Sequence, residues 1–188
     1  KVAYNTFIST KISMMNTIME TCHHLPNTNV DDITEALSLC TTRLISKKYL
    51  YGGMGDGGGC HPRDNIALSY LAQELNLSYN WYDNIMKQRE AQTEWLADLI
   101  IKNKGKRQIN ILGKTFKPET NIITGSPSIL LKNILEERGE KVRMWDPYID
   151  DSNIMKVKDD YKWDKIPQLF FIGTKHKTFT EFYFMPKS

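Results

Sequence analysis

Cys60 is the residue of this sequence best suited to nucleophilic chemistry. Six glycines lie between Tyr51 and Cys60, and Pro62 and Asp64 follow the cysteine. Glycine lets a ligand approach the main chain closely, and Pro62 fits the first turn of a helix. The pattern therefore places Cys60 where a loop meets a helix N-terminus, whose free amides and dipole stabilise a thiolate. A surface loop with an incidental cysteine explains the same residues equally well.

A second candidate site follows the strand predicted at 108–112. The run Gly113–Pro118 (GKTFKP) leads from that strand into a loop before a helix that begins near Ser126. Ligands bind at such carboxyl ends of strands in open α/β sheets, and a lysine there can meet a phosphate as a point charge. The loop has no GxGxxG pattern, so it does not predict a dinucleotide site. A solvated Lys117 in an ordinary loop is the alternative.

The four histidines do not predict a metal centre. His23 and His24 end a predicted helix, His61 adjoins the cysteine, and His176 follows the last predicted strand. None stands at a recognisable ligand spacing from cysteines or carboxylates. A Cys60–His61 protease pair is also disfavoured, because adjacent residues rarely align for proton transfer.

The composition is ordinary for a soluble globular protein, and its mildly positive charge favours an anionic small ligand no less than nucleic acid. The chain is 40% hydrophobic and 25% charged, with a net charge of +3. Its length of 188 residues allows one large domain or two small ones. No lysine or arginine stripe predicts nucleic-acid binding, and no apolar run is long enough to span a membrane. Three irregularly spaced cysteines favour reduced thiols in a cytoplasmic protein, with Cys22 and Cys40 as small core residues.

The first half of the chain is predicted to be helical. Apolar residues at helical spacing predict a helix over 2–22, and Asn29 can cap a second helix that runs to about Leu44. A third helix is expected over 62–75. A fourth opens at Ser78 and runs to about Lys104, with Trp81, Ile85, Trp95, Leu99 and Ile100 on its apolar side.

The second half is predicted to alternate strands and helices. Strands are expected at 108–112, 142–145 and 168–173. Helices are expected at 126–138, between the cap Ser126 and the stop Gly139, and from 178 to about 183. Strand–helix alternation implies parallel pairing. The fold class is therefore α/β, with an all-helical domain over 1–104 and a Rossmann-like parallel α/β domain over 105–188.

Five ordered motifs resemble the UDP-glucose/GDP-mannose dehydrogenase family across essentially the whole chain. Lys1–Asn5 (KVAYN) is similar to its K-x-x-x-N motif, and Arg43–Leu50 to the segment before its catalytic loop. Gly57–Asp64 (GGGCHPRD) matches GG-x-C-x-x-x-D, the most specific of the five. Gly113–Pro118 resembles G-x-x-F-K-P. Trp145–Pro147 (WDP) resembles Y-D-P, with tryptophan in place of tyrosine.

The resemblance implies the oxidation of a nucleotide sugar at its C6 alcohol to a carboxylate with two NAD(P)⁺ per turnover. Cys60 would attack the bound aldehyde to give a thiohemiacetal and then a thioester. Lys1 and Asn5 would stabilise the oxyanions, and Asp64 would position a water or act as a base in hydrolysis.

The resemblance also implies substrate contacts. The amides of Gly57, Gly58 and Gly59 would contact the sugar, and Tyr49 and Leu50 would flank the base. Phe116 and Lys117 would bind the substrate, with Lys117 at its diphosphate. Arg43 would reach the sugar site of a partner subunit in a homodimer formed through the central helices.

The sequence departs from the family pattern in three places. Arg43 stands one residue further from Leu50 than is usual. The residues after GKTFKP lack the family's acidic pair and arginine–glutamate step. The sequence does not include the family's N-terminal Rossmann domain and stops where the family usually continues, so the chain is expected to be cut from a longer protein, to be incomplete at its C-terminus, to lack the main NAD site and to be inactive alone. UDP-glucose is the first substrate hypothesis, with GDP-mannose or a UDP-hexosamine as alternatives. A non-catalytic nucleotide-sugar-binding or dimerisation module is the alternative function.

Overall fold

The computed structural model describes residues 2–45, 54, 60–149 and 167–180. They form six α-helices, a π-helical turn and three strands, with these bounds: α1 Val2–His24, α2 Val30–Ser38, the π-helical turn Thr41–Ile45, α3 Cys60–Glu74, α4 Trp81–Lys104, β1 Gln108–Leu112, α5 Pro127–Glu137, β2 Val142–Trp145, β3 Gln168–Ile172 and α6 Lys177–Thr180. No helix within the described ranges is both long and apolar enough to cross a membrane.

The described residues divide into two compact units. The first takes those within Lys1–Gly53 and Arg63–Lys87, and the second takes those within Met54–Pro62 and Gln88–Ser188. The second half of α4 therefore groups with the strands. A domain boundary at residues 104 and 105 stays a prediction.

Local sequence sets the helix ends of the first unit. Asn29 caps α2 by accepting a hydrogen bond from the Asp31 amide at 2.9 Å, as predicted. Asn27 after α1 and Asn76 after α3 adopt φ values of 59° and 50°, a left-handed conformation that asparagine tolerates better than most residues. The α3 helix is confirmed and begins at Cys60 rather than Pro62.

Three predictions for the first unit are wrong in detail. The second helix ends at Ser38, and a π-helical turn replaces its last residues; the β-branched pair Thr41 and Thr42 favours α-helix poorly. Cys40, predicted to be buried, is exposed. Helix α4 begins at Trp81, because Asn80 caps it through the Asp83 amide, while Ser78 bonds to Glu20.

The second unit contains a three-stranded parallel sheet in the order β2-β1-β3. The predicted strands and their parallel pairing are confirmed, except that β3 ends at Ile172 rather than Gly173. In this register Ile111 lies opposite Met144 on one side and Phe171 on the other. Parallel strands place all three carboxyl ends at one edge of the sheet.

The core of the second unit lies between one face of the sheet and two helices. Ala97 and Ile100 of α4 and Leu131 and Leu135 of α5 pack with Ile109 and Ile111 of β1. Trp95 and Leu99, predicted to lie on the buried side of α4, are exposed, because the buried stripe runs through positions 93, 97 and 100 instead. Helix α5 matches the prediction at 126–138, although Ser126 makes no side-chain capping bond.

Candidate functional site

Cys60 is the first residue of α3 and is exposed to solvent. The first amides of an α-helix have no partner within the helix, and the dipole makes this end electropositive. The sulfur therefore lies in the setting that the sequence predicted. Exposure also leaves it accessible to a substrate carbon.

Asp64 lies one helical turn after Cys60 on α3. Its carboxylate pairs with Arg63 at 2.9 Å, and both side chains are largely exposed, so the pair adds little stability. The carboxylate is thus open to solvent. Its role in hydrolysis stays a prediction.

The other residues predicted near Cys60 are placed less fully. Asn5 lies on α1, and its side chain is not among those described. Arg43 lies in the π-helical turn, exposed; π-helical turns occur often at functional sites. The remaining predictions lie outside the described residues: Lys1, Tyr49, Leu50, Gly57, Gly58 and Gly59.

Gly113 directly follows β1, and only glycine fits its backbone conformation and surroundings. Its φ is +95°, and an added Cβ would lie 2.5 Å from the Thr174 Cβ and 2.7 Å from the Thr174 backbone nitrogen and oxygen. Both the left-handed conformation and the close approach of a neighbouring chain require glycine. The turns after β1 and β3 are therefore in direct contact at the carboxyl edge.

Asp146 follows β2 and organises the turn after β1. Its Oδ2 accepts hydrogen bonds from the amides of Lys114 at 2.7 Å and Thr115 at 3.1 Å. Its Oδ1 accepts one from the Tyr148 amide at 2.8 Å. The residue is 1% exposed, so the three amides replace the water that a carboxylate otherwise needs.

His176, four residues after β3, forms a buried cluster with Asp146 and Thr115. Its Nε2 lies 3.0 Å from Asp146 Oδ2 and 3.0 Å from Thr115 Oγ1. Its Nδ1 accepts a hydrogen bond from the Glu119 amide at 3.0 Å. The side chain is fully buried, with its ring stacked on Tyr148 at 4.9 Å between centroids.

Glu119 and Tyr148 close the cluster on the solvent side. The Tyr148 hydroxyl donates to one Glu119 oxygen, and the Lys177 amide donates to the other at 2.8 Å. These bonds, that from Tyr148 first, lower the pKa of Glu119 from its ordinary value of 4.5. The same carboxylate raises the pKa of Tyr148 from 10.0.

Phe116 and Lys117 lie in the loop that this cluster holds. Phe116 is half-buried, and Lys117 is exposed with its Nζ 5.3 Å from the centre of the Phe116 ring. An ammonium near an aromatic face is weakly held there and stays available to an anion. The structure thus places a solvent-facing cation on an anchored loop at the carboxyl edge.

Sequence reasoning gave no role to the residues that anchor this loop: Thr115, Glu119, Tyr148, Thr174 and His176. One signal was present. Asp146 and His176 each follow a predicted strand, and parallel strands bring such residues to one edge. Among the described residues, no group of three His, Cys, Asp or Glu side chains is placed to hold a metal ion.

These features define a class of protein. A parallel α/β unit carries a cationic loop at its ligand-binding edge, and a helix elsewhere in the chain begins at an exposed cysteine. Such units bind nucleotides at that edge in many enzymes, but the fold alone does not fix the activity.

Comparison with known proteins gives the particular family. Residues 1–90 match the central domain of the UDP-glucose/GDP-mannose dehydrogenase family, and residues 110–185 match its UDP binding domain. Since both matches are to one family and take in most of the chain, this protein belongs to the UDP-glucose/GDP-mannose dehydrogenase family.

Individual relatives agree with this assignment. The chain is 30% identical over 78% of its length to UDP-glucose 6-dehydrogenase TuaD of Bacillus subtilis, covering 32% of that protein. It is 29% identical to UDP-glucose 6-dehydrogenase of Gallus gallus over 82% of its length, again covering 32% of the relative. The chain therefore spans about a third of the length of the curated relatives it matches.

Solved structures share the fold. A ternary complex of GDP-mannose dehydrogenase from Pseudomonas aeruginosa aligns with a TM-score of 0.71 at 25% identity, over 78% of this chain and 33% of that one. A UDP-glucose dehydrogenase from Pyrobaculum islandicum aligns with a TM-score of 0.60 at 21% identity, over 98% of this chain and 44% of that one.

Proposed function

We propose that this chain is the nucleophile-bearing and nucleotide-binding part of an NAD-dependent nucleotide-sugar 6-dehydrogenase. The observation that carries the proposal is the pairing of two features in one chain. An exposed Cys60 begins α3, and an exposed Lys117 lies on an anchored loop at the carboxyl edge of a parallel sheet. UDP-glucose is the substrate we favour, because the matching domain is a UDP binding domain and the relatives above are named UDP-glucose 6-dehydrogenases.

Cys60 supplies the covalent chemistry in this proposal. Its thiolate adds to the C6 carbon of a bound aldehyde, the carbonyl oxygen takes a proton, and a thiohemiacetal forms. The thiohemiacetal carbon then gives up a hydride, which NAD would accept when bound, and its hydroxyl gives up a proton, which leaves a thioester. A water attacks the thioester carbon, the carbon–sulfur bond breaks, and the carboxylate product and the free thiolate result. Asp64 accepts the proton of that water, while Lys1 and Asn5 stabilise the negative oxygen.

Lys117 and Phe116 provide nucleotide contacts in the same proposal. The ammonium meets the diphosphate as a point charge, and the Phe116 ring lies beside it. The amides of Gly57, Gly58 and Gly59 contact the sugar, Tyr49 and Leu50 lie beside the base, and Arg43 reaches the sugar site of a second subunit.

NAD, which removes hydride in the activity we propose, does not fit the loop after β1. The amides of Lys114 and Thr115 already donate to Asp146, so they cannot cradle a pyrophosphate. The space where Gly113 could admit a ligand holds Thr174. We therefore assign no described residue of the α/β unit to NAD.

Exposed apolar side chains support a homodimer through the central helices. On α1, Tyr4 is 68% exposed and Ile12 is 56% exposed; on α3, Tyr70 is 64% exposed. Large apolar side chains left exposed in this way are candidates for burial against a second subunit. Light scattering across a concentration series tests this: a constant monomer mass would contradict it. A cytoplasmic location remains part of the proposal.

Turnover and binding test the function separately. The full-length gene product containing this chain is assayed for NADH formation with UDP-glucose, UDP-N-acetylmannosamine and GDP-mannose; we expect UDP-glucose to give the highest kcat/KM.

The chain itself is titrated with UDP and GDP by calorimetry. Lys117→Ala should weaken UDP binding by roughly tenfold or more, as the loss of a charged hydrogen bond predicts, whereas exposed Lys102→Ala should not change it. UDP binding without turnover would favour a non-catalytic binding module.

A further inference from the structure

The His176 imidazole is bonded at both ring nitrogens to a single short loop. Nε2 lies 3.0 Å from Thr115 Oγ1, and Nδ1 accepts from the Glu119 amide at 3.0 Å. These two contacts span 61 and 57 residues of sequence. One ring therefore bridges the two ends of the segment that contains Phe116, Lys117 and Pro118.

The hydrogen-bond partners fix which nitrogen carries the proton. Thr115 has one hydroxyl hydrogen, which it donates to the Lys117 carbonyl at 3.0 Å, so it can only accept from His176. Asp146 Oδ2 also accepts at Nε2. Since the Glu119 amide is a donor, the network requires a neutral imidazole with its hydrogen on Nε2.

This arrangement is not a nucleophile–base pair. Thr115 and Asp146 both lie at the same nitrogen, whereas a relay needs the nucleophile and the carboxylate on opposite nitrogens. Thr115 is also fully buried, so no substrate reaches it. The cluster holds structure in place rather than reacting.

The backbone of the loop between Thr115 and Glu119 has little conformational freedom. The Thr115 carbonyl accepts from the Thr174 hydroxyl, and Pro118 fixes its own φ. Glu119 adopts a φ of 58°, a left-handed conformation that is unfavourable for a residue other than glycine. The bond from the Glu119 amide to His176 is one of the contacts that offset this cost.

We propose that His176 is a positioning residue that holds Lys117 where a nucleoside diphosphate binds. The proposal rests on the proposed function in one respect, the contact between Lys117 and the diphosphate. His176 acts by fixing Thr115 and Glu119 on either side of that lysine. No contact of His176 with the ligand is involved.

Two substitutions separate the ring's contacts. His176→Gln presents an amide nitrogen near the Nε2 position and loses the acceptor for the Glu119 amide. His176→Asn presents an oxygen near the Nδ1 position and loses the donor to Asp146. His24→Gln, at the exposed end of α1, is the matched control.

Amide hydrogen exchange on the 188-residue chain tests the bridge without a ligand. His176→Gln should speed exchange at Glu119, and His176→Asn should speed exchange at Lys114 and Thr115. The ring ¹⁵N shifts of the unsubstituted chain should show hydrogen on Nε2. Unchanged exchange at all three amides in both variants, or hydrogen on Nδ1, would overturn the proposal.

A double-mutant cycle tests the action through Lys117. Calorimetry with UDP should give a Kd raised by about tenfold in His176→Gln, equivalent to one hydrogen bond. In the Lys117→Ala background the same substitution should change Kd by less than about twofold. Equal effects in the two backgrounds would overturn the proposal.

The outcomes distinguish the two proposals. If the unsubstituted chain binds no UDP, the proposed function fails at this site, and the exchange experiment still decides whether His176 holds the loop. If UDP binds and Lys117→Ala weakens it while both His176 variants bind UDP normally, the function stands and the positioning role is wrong.

Discussion

The Cys60 end of α3 and the carboxyl edge of the sheet differ in how their functional groups are held. Cys60 is exposed at the first position of α3, and the role proposed for it relies on the dipole of that one helix end. At the sheet edge, Asp146, Thr115 and His176 are buried and connected by hydrogen bonds. These bonds anchor the loop that carries the exposed Lys117. In the proposed function the first region needs access for chemistry, whereas the second needs a fixed position for recognition.

This difference predicts two kinds of mutational effect. Substitutions at the helix end should change turnover with little change in stability. Substitutions in the buried cluster should lower stability and, through the loop, ligand affinity.

The largest expected effect is on turnover. Cys60→Ala in the full-length gene product should lower kcat with UDP-glucose by on the order of 10³-fold or more, as removal of a covalent nucleophile does in other enzymes. Cys40→Ala, at the other exposed cysteine, should retain full turnover and similar stability. Full NADH stoichiometry from Cys60→Ala would show that the sulfur is not the nucleophile.

The next effect is on stability at the sheet edge. Asp146→Ala leaves the buried amides of Lys114 and Thr115 without their acceptor, so the free energy of unfolding should fall by about 3 kcal/mol. Asp98→Ala removes an exposed partner of Arg138 and should cost less than about 1 kcal/mol. Urea denaturation measures both. Equal losses would mean that the buried cluster contributes no more than a surface ion pair.

Substitution of Gly113, directly after β1, should have a smaller effect on stability, and Gly105 provides a close control. Gly113→Ala should lower the free energy of unfolding by about 2 kcal/mol or more, because a left-handed φ alone costs about 1–2 kcal/mol and the Cβ would also meet Thr174. Gly105→Ala has a φ of +56° and no atom within 4 Å of its Cβ, so it should cost about 1 kcal/mol. If the two losses are equal, contact with Thr174 is not what selects glycine.

The smallest effect concerns pH. The pKa of Glu119 is lowered, so its contribution to stability is fully present above 4.5 and is lost as pH falls through the lower folded value. The pKa of Tyr148 is raised, so its contribution is present below 10.0 and is lost as pH rises past the folded value.

Tyr148→Phe removes the largest cause of the Glu119 shift. In this variant the folded pKa of Glu119 lies nearer 4.5, so the loss of stability at acid pH should be smaller and should be complete at a higher pH than in the unsubstituted chain. Urea midpoints measured between pH 3 and 6 would show this. Superimposable pH profiles would mean that the hydroxyl does not hold the carboxylate.

The sequence predicted what depends on neighbouring residues. The strands at 108–112 and 142–145 and the cap at Asn29 follow from local patterns and match the structure. The helix predicted from Pro62 is also present, but it begins at Cys60. The catalytic and sugar-binding roles of the residues around Cys60 stay predictions.

The sequence did not predict what depends on register and packing. Trp95 and Leu99 fit an apolar helix face, yet the sheet contacts Ala97 and Ile100 instead. His176 forms its hydrogen bonds with residues 30 to 61 positions away, and the one local signal for it is that it follows a predicted strand. Long-range hydrogen bonds of this kind have no periodic signal.

The two amides that Asp146 occupies have a consequence for protein engineering. A designer who wished to make the α/β unit bind a dinucleotide could not do so by adding glycines after β1. The carboxylate would have to be removed first, since it already holds the amides of Lys114 and Thr115 that would have to cradle the pyrophosphate. That removal would release His176 and Tyr148 from the same oxygens, so a change of ligand would require a redesigned edge of the sheet.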